Sequence, residues 1–373
     1  VSAAEALPGV AAVVTHRDIR GENGFGIVFQ DQPALCHDKV RYAGDPVAAV
    51  AAVDAVTAEA ALGLIRVAYE PLPLVDDPEM ALDPRSAAVH ESGNVQTDLH
   101  FDRGDIEAGF LQAAHIVEDI YEMPRQMHGF METEGGFARL EADGTLHVAA
   151  GGQHNYRDRM QLSRILGIPE ERIRVTSSPT GGAFGGKDEL TVQPALALLT
   201  LKSGRAVRLH LDRTESVLAG TKRNPMRLRM RTGCDKDGWL VAQEVDLVSD
   251  SGAYASLSPG VLETALEHAA GPYVIDNIRT RGRLAYTNNG VGGAFRGFGA
   301  NQMTFAVECQ MDRLAAQCGL SPDNIRRRNL RTPGMPGYLG QRVSLTERCE
   351  EMLDAAMTSR LWSCERGLSP DGG

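Results

Sequence analysis

The chain has 373 residues, of which 43% are hydrophobic and 23% charged, a composition typical of a globular protein with more than one domain. Its net charge of −11 and lack of a long basic block argue against a nucleic-acid partner, and no run of about eighteen apolar residues predicts a membrane span. The six cysteines form no C-x-x-C pair, which argues against iron–sulfur or zinc ligation by this chain and favours a reducing, cytoplasmic setting.

The first part of the chain predicts a compact α/β unit over residues 1–80. Residues 47–53 form an apolar run typical of a strand, 57–66 an alanine-rich helix, and 67–69 the start of another strand before a proline-rich exit. Residues 81–113 are polar and rich in turn formers, so we expect them to connect this unit to a second domain.

The second domain is predicted over residues 114–340, and the whole chain is predicted to have a mixed α+β fold. After Pro336 the periodic pattern weakens, and 341–373 is predicted to be a ragged tail or the start of a further domain. The predicted elements are a strand at 114–124, a helix at 157–167 ended by Gly167, a strand at 172–178, a helix at 188–203 ended by Gly204, a strand at 206–211, a hairpin around the turn 236–238, and helices at 302–319 and after the cap Ser321.

Three glycine-rich loops, each predicted to precede a helix, carry the main functional signal. The first is AAGGQHN (149–155), the second TGGAFGGKDE (180–189) and the third GVGGAFRGFGANQ (290–302). The second loop has the G-x-x-x-x-G-K spacing of a phosphate-binding loop, but Asp188 replaces the Ser or Thr that would hold magnesium. Because glycine lets backbone N–H groups approach a ligand, and a helix N-terminus favours an anion, we expect one oxygen-rich cofactor among the loops.

The side chains of these loops suit a flat heterocycle beside an oxygen-rich centre. The alternatives for each position are structural: a buried amide, a tight turn, a salt bridge or a core aromatic. His128 and Glu132, four residues apart, are interpreted as a core or turn feature rather than a metal site. The loop side chains concerned are Gln153, Asp188, Arg296, Phe298 and Gln302.

The motifs resemble the molybdopterin-binding (large) subunit of the xanthine dehydrogenase and aldehyde oxidase family. GGAFGGKDE is similar to that family's G-G-G-F-G-G-K loop, AFRGFGANQ to its A-F-R-G-F-G-x-x-Q loop, GGQHN to its first cofactor segment, and HGFMETEGGFARL (128–140) to its H-x-x-L-E segment. Residues 46–73 resemble its hammerhead domain. The resemblance covers nearly all of 8–335 and implies a hammerhead-like domain followed by the first molybdopterin-binding domain, in a chain truncated at both ends.

The resemblance also implies roles for single residues. The amide of Gln153 would donate to an oxygen ligand of molybdenum, Phe298 would stack on the substrate ring, and no side chain would ligate the metal directly. Cofactor contacts are implied for Gln153, Gly182, Phe184, Gly185, Gly186, Arg296 and Gln302, catalytic roles for Arg296 and Asp188, and substrate contacts for Phe298, Asp188 and Thr264.

The implied cofactor is molybdenum–molybdopterin, with the cytosine dinucleotide form left open, and the implied partners are a [2Fe–2S] subunit and an FAD-binding subunit. The implied reaction is hydroxylation of a purine or related N-heterocycle with water as the oxygen source. Two alternatives stay open: an aldehyde or aromatic-acid hydroxylase of the same family, and a catalytically silent fragment that only binds other subunits.

This sequence departs from the family pattern at four places. Asp188 replaces the usual Glu of purine hydroxylases, Thr264 replaces their Arg, and Gly297 replaces the Cys of carbon monoxide dehydrogenases. These changes put classical xanthine as the only substrate in doubt and argue against a copper–molybdenum site. Nothing after Met335 resembles the second molybdopterin-binding domain, which bears the glutamate base in the family, so no base is named.

Overall fold

The computed structural model describes residues 1–341, 348–359 and 362, and it confirms the mixed α+β fold. The helices are α1 (Ser2–Glu5), α2 (Ala55–Leu62), α3 (Pro78–Ala81), α4 (Ile106–Leu111), α5 (Asn155–Leu166), α6 (Gln193–Ser203), α7 (Arg213–Ala219), α8 (Ser258–Glu267), α9 (Ala300–Cys318), α10 (Pro322–Asn329) and α11 (Cys349–Met357). The strands are β1 (Val10–Thr15), β2 (Ala48–Ala52), β3 (Val95–Arg103), β4 (His115–Met123), β5 (Gly135–Leu140), β6 (Leu146–Ala150), β7 (Ile173–Ser177), β8 (Val207–His210), β9 (Lys222–Arg223), β10 (Met226–Cys234), β11 (Leu240–Gly252), β12 (Asn277–Tyr286) and β13 (Gly292–Gly293).

The N-terminal unit consists of the antiparallel pair β1–β2 with α1 and α2 against it. Helix α2 begins earlier than predicted because Asp54 caps it, accepting a 2.8 Å hydrogen bond from the amide of Thr57. The predicted strand at 67–69 is wrong: among the described residues β1 and β2 form a sheet of two, and residues 65–77 run without regular structure. Residues 67–69 are apolar, but an apolar run forms a strand only where a neighbouring backbone can pair with it, and none of the described strands does so here.

A four-stranded sheet, ordered β7-β6-β5-β8, carries the first two glycine loops. Helices α5 and α6 cover it and share its core with β5 and β6. Strands β6 and β7 are parallel neighbours, so their carboxyl ends lie at the same edge of the sheet. The first loop follows β6 and the second follows β7, and the two loops therefore leave the sheet side by side.

A five-stranded sheet, ordered β3-β12-β11-β10-β4, forms the other half of the structure, with α8 and α9 against one face. The hairpin predicted around 236–238 is confirmed as β10 and β11. The third glycine loop includes β13, which pairs with the short strand β9, and leads into α9. All three loops thus lie between a strand and a helix, and the predicted helix after each of them is confirmed.

Residues 81–113, predicted only to connect two domains, instead supply α4 and the edge strand β3. The side chains of β3 alternate between half-buried and exposed, so its sequence is mostly polar although its backbone pairs with β12. Most of the tail predicted over 341–373 lies outside the described residues. No helix within the described residues has both the length and the apolar character needed to cross a bilayer.

Candidate cofactor site in three glycine loops

The first and second glycine loops are joined through Gln153. Its side-chain carbonyl oxygen accepts a 3.0 Å hydrogen bond from the backbone N–H of Gly185. Its own backbone N–H donates to the carbonyl oxygen of Lys187 at 3.0 Å. Since the amide of Gln153 is anchored through its oxygen, its NH2 group is the end left for a ligand at this exposed position.

The second and third loops meet backbone to backbone. The N–H of Arg296 donates to the carbonyl oxygen of Phe184 at 2.9 Å. Next to it, Gly185 has a φ of +101°, and a Cβ on this residue would lie 2.6 Å from the carbonyl oxygen of Ala294. No larger residue fits here without moving the backbone of the third loop.

The side chain of Lys187 is buried between the second loop and Glu132 and does not face a ligand. Its side chain is 0% exposed, and its Nζ lies 2.8 Å from Oε2 of Glu132 and 3.0 Å from the carbonyl oxygen of the same residue. The same Oε2 accepts a hydrogen bond from the N–H of Gly181 at 2.9 Å. This arrangement differs from a phosphate-binding loop, in which the lysine reaches the phosphates. The hydrogen bond from Lys187 also holds the pKa of Glu132 below its usual value.

The segment beneath the loop is filled by ring side chains. His128 is buried, its Nε2 lies 2.7 Å from the carbonyl oxygen of Ala294, and burial lowers its pKa. A Cβ on Gly186 would lie 2.8 Å from Nδ1 of His128, and a Cβ on Gly182 would lie 3.0 Å from Cβ of Phe130. These two glycines therefore let the loop lie directly on the segment 128–132. The buried position of His128 agrees with its interpretation as a core residue.

Arg223, on β9, fixes the third loop. Its guanidinium donates to the carbonyl oxygen of Arg296 at 2.9 Å and to Oε1 of Gln302 at 3.2 Å, and it lies 3.8 Å from the ring centroid of Phe295. Gln302 is buried and its Nε2 donates to the carbonyl oxygen of Asn224 at 3.3 Å. Both ends of the Gln302 amide are thus occupied inside the fold. The contact of Gln302 with a cofactor stays a prediction. In the structure its side chain supports the third loop through Arg223.

Two other predicted residues have exposed side chains at the junction of the loops. Phe184 is 48% exposed, and Arg296 is also an exposed residue, while both of its backbone groups are hydrogen-bonded. Together with the amide of Gln153 they form an open surface of one aromatic face, one cation and one amide donor.

Phe298 and Thr264 lie at the other side of the third loop. The ring of Phe298 packs on α8, where a Cβ on Gly260 would lie 3.1 Å from its Cε1. Thr264 is one turn further along the same face of α8. The structure therefore places both predicted substrate residues beside the third loop.

Backbone strain is concentrated here. Among the described residues, the non-glycine residues with positive φ are Phe184 (53°), Ser256 (44°) and Phe298 (49°). Two belong to the glycine loops, and Oγ of Ser256 would lie 3.0 Å from a Cβ on Gly293 of the third loop. Such conformations persist where the surrounding packing enforces them, typically at ligand sites.

Asp188 is directed towards the first loop and α5. Its Oδ1 lies 2.5 Å from Nε2 of His154, without the alignment of a hydrogen bond, and its Oδ2 lies 4.0 Å from a guanidinium nitrogen of Arg157. Two further buried carboxyls are close by: burial raises the pKa of Asp158 and of Glu189 to about 7, and the charge of Asp188 adds to both shifts. No group of three or more His, Cys, Asp or Glu side chains in the described part of the chain is placed to hold a metal ion.

Family models match most of the chain. The model described as "Molybdopterin cofactor-binding domain" matches residues 89–330, and that described as "Aldehyde oxidase and xanthine dehydrogenase, a/b hammerhead domain" matches residues 1–73. The chain belongs to the xanthine dehydrogenase and aldehyde oxidase family. The predicted order of a hammerhead domain followed by a molybdopterin-binding domain is confirmed.

Relatives of this family resemble the chain over nearly its whole length. It is 53% identical over 356 residues to a probable xanthine dehydrogenase subunit of Bacillus subtilis (strain 168), covering 95% of this chain and 48% of that protein. It is 38% identical to the nicotinate dehydrogenase large molybdopterin subunit of Eubacterium barkeri, covering 96% and 85%. Among solved structures, the aldehyde oxidoreductase of Desulfovibrio gigas matches with a TM-score of 0.90 and 30% identity, covering 95% and 40%. The chain thus spans about half or less of two of these proteins.

The residues present fit the cofactor of this family. The open surface offers an amide NH2, a guanidinium and glycine-rich backbone, which are donors for an oxygen-rich anionic group. The close approach of Gly185 to Ala294 shows that the loops are shaped by backbone rather than by bulky side chains.

Sequence reasoning missed the groups that support the loops. Lys187 was visible in the second loop but was compared with a phosphate-binding lysine, and His154 was visible beside Gln153 but was given no role. Arg223 carries no local signal, because a single arginine before a strand has many structural uses. Its partners lie more than seventy residues further along the chain.

Replacing Glu132 with alanine will destabilise the protein, because it leaves the Lys187 ammonium buried without a counter-charge. A loss on the order of 3 kcal/mol in the free energy of unfolding is expected. The matched control is Glu118→Ala, which removes an exposed ion pair with Arg229 and should cost less than about 1 kcal/mol. Denaturant unfolding of both variants measures this; equal losses would show that the Lys187 pair has no special weight.

The raised pKa of Glu189 predicts a pH dependence of stability. In the unfolded chain this carboxyl ionises near 4.5, whereas in the fold it keeps its proton up to about 7. The folded state then binds more protons between these values, so stability falls as the pH rises through that window. Glu189→Gln should reduce the drop in melting temperature between about pH 5 and about pH 8, whereas Glu91→Gln, at an exposed position, should not. An unchanged drop in Glu189→Gln would refute the assignment.

Proposed function

We propose that this chain is the molybdenum-cofactor subunit of a hydroxylase that oxidises a purine or a related N-heterocycle, with water as the source of oxygen. The observation that carries the proposal is the meeting of three glycine loops around an amide, a guanidinium and two strained aromatic residues. Membership of a family named for molybdopterin binding agrees with it.

When bound, the molybdenum–molybdopterin group supplies a centre for adding oxygen from water to an electron-poor carbon and removing two electrons. The chain's own part is to hold and orient. The Gln153 NH2 group donates to an oxygen of the cofactor, while its carbonyl stays fixed on Gly185. Arg296 adds a positive charge at the same surface, and its backbone is immobilised from both sides.

The substrate is proposed to stack on Phe298, whose ring is held against α8. Two relatives, of which one is named a probable xanthine dehydrogenase subunit and the other a nicotinate dehydrogenase subunit, support an N-heterocycle as the substrate class. The aldehyde oxidoreductase match supports the alternative of an aldehyde.

Electrons must leave the site once the substrate has been oxidised. We propose that [2Fe–2S] and FAD groups on partner subunits receive them, in agreement with relatives described as subunits. Whether the cofactor carries a cytosine dinucleotide is decided by analysis of the released pterin. The cytoplasm is the compartment proposed for the assembly.

Gln153→Ala tests the proposal in the complete enzyme. Loss of one preorganised donor should lower kcat by about a hundredfold or more. The control is Gln112→Ala. It removes an exposed amide at the end of α4, outside the three glycine loops, and should leave kcat unchanged. Growth on tungstate in place of molybdate should abolish activity of the wild-type enzyme; activity unaffected by tungstate would overturn the proposal.

Comparing turnover of hypoxanthine, nicotinate and benzaldehyde separates the substrate classes. Preference for either heterocycle supports the proposal, and preference for benzaldehyde supports the aldehyde alternative. Absence of turnover of any of the three by the complete, molybdenum-loaded enzyme would favour a chain that only binds other subunits.

A further inference from the structure

The buried carboxylate of Asp188 is engaged within the protein on the side of the first loop. Its side chain is one methylene shorter than glutamate and is 10% exposed, and Oδ1 lies 2.5 Å from Nε2 of His154. Arg157, one turn into α5, approaches the other oxygen at 4.0 Å. A carboxylate that faces the His154 ring and the Arg157 guanidinium, and is itself 10% exposed, is poorly placed to reach outwards for a ligand.

His154 has the opposite character. Its side chain is 44% exposed, it follows Gln153 directly, and it makes no capping hydrogen bond although it stands at the N-cap position of α5. Asp188 contacts the ring at Nε2, so the far side of the ring, with Nδ1, is directed away from the carboxylate. The imidazole therefore contacts the carboxylate of Asp188 at one nitrogen, and its other nitrogen is left for a ligand.

His154 also lies close to the proposed cofactor surface. Gln153 connects to Gly185 through its side chain and to Lys187 through its backbone, and Asp188 is the next residue after Lys187. His154 and Asp188 are thus the residues that directly follow the backbone hydrogen bond between Gln153 and Lys187. Of the two side chains, His154 is the more accessible to a ring bound beside the Gln153 amide, since it is 44% exposed and Asp188 is 10% exposed.

We propose that His154, oriented by Asp188, binds the polar edge of the heterocyclic substrate and thereby selects it, while Asp188 is a positioning residue that does not touch the substrate. The inference rests on the proposed function. The chemical class it selects is a ring with a nitrogen or an exocyclic oxygen at the edge away from the reacting carbon, because imidazole can accept from an N–H or donate to an oxygen.

A double-mutant cycle tests this in the complete enzyme loaded with tungsten, which binds ligand without turnover. Calorimetry gives the Kd of hypoxanthine and of nicotinate for wild type, His154→Ala, Asp188→Asn and the double variant. For the tighter-binding heterocycle, His154→Ala should raise Kd about tenfold. Asp188→Asn should raise it less, and the double variant should bind no worse than His154→Ala, because Asp188 acts through the histidine.

If the increase in Kd of the double variant equalled the product of the increases in the two single variants, Asp188 would contact the substrate itself, and the proposal would be overturned. Unchanged Kd in His154→Ala would overturn it as well. His154→Gln, which keeps a hydrogen-bonding side chain, should recover part of the affinity. It also replaces the alanine variant if that variant fails to fold.

The matched control is His147→Ala, which removes a histidine paired with Glu141 at 3.1 Å on β6. Its Kd should equal that of wild type, and a loss as large as that of His154→Ala would overturn the assignment. Wild-type enzyme that binds a heterocycle while all variants bind equally refutes this inference alone. Wild-type enzyme that neither binds nor turns over a heterocycle refutes the proposed function, and the inference with it.

Discussion

The buried ammonium of Lys187 determines where the second glycine loop lies. Its charge is met by Glu132, whose carboxylate also accepts from the N–H of Gly181, and by the ring of Phe130 at 4.8 Å. A buried charge is costly unless partners replace its lost water, so moving this side chain away from these partners would be strongly unfavourable. With Lys187 held by Glu132, the turn around Gly185 contacts Gln153 of the first loop and Ala294 of the third loop.

The third loop depends on a second buried cation. Arg223 bonds the backbone of Arg296 and the side chain of Gln302, and its plane lies against Phe295. Strained residues such as Phe184 and Phe298 cost on the order of 1–3 kcal/mol each unless the surroundings enforce them. Here hydrogen bonds and packing on both sides do so. The result is a preorganised surface on which the proposed cofactor meets donors already in position.

Local signals in the sequence predicted much of this. The helix stops at Gly167 and Gly204 are confirmed, with φ of 62° and 65°, because a left-handed residue after a helix is a local requirement. The helix predicted after each of the three glycine loops is also confirmed, because a glycine-rich run followed by a periodic apolar pattern is a local signal. Contacts between distant segments were not predictable: the orientation of Lys187 depends on Glu132, 55 residues earlier, and that of Asp188 on His154. Strand β3 was missed because half of its side chains face solvent.

Molybdenum and pterin content of the complete enzyme carrying Gly185→Ala tests the central claim, that closely packed glycine loops hold the cofactor. A Cβ there would lie 2.6 Å from the backbone of Ala294, whereas Gly204, also with positive φ, has nothing within 4 Å of the same position. The account predicts that Gly185→Ala loses most of its molybdenum and pterin while remaining folded, and that Gly204→Ala keeps both. Wild-type content of metal and pterin in a folded Gly185→Ala enzyme would contradict it.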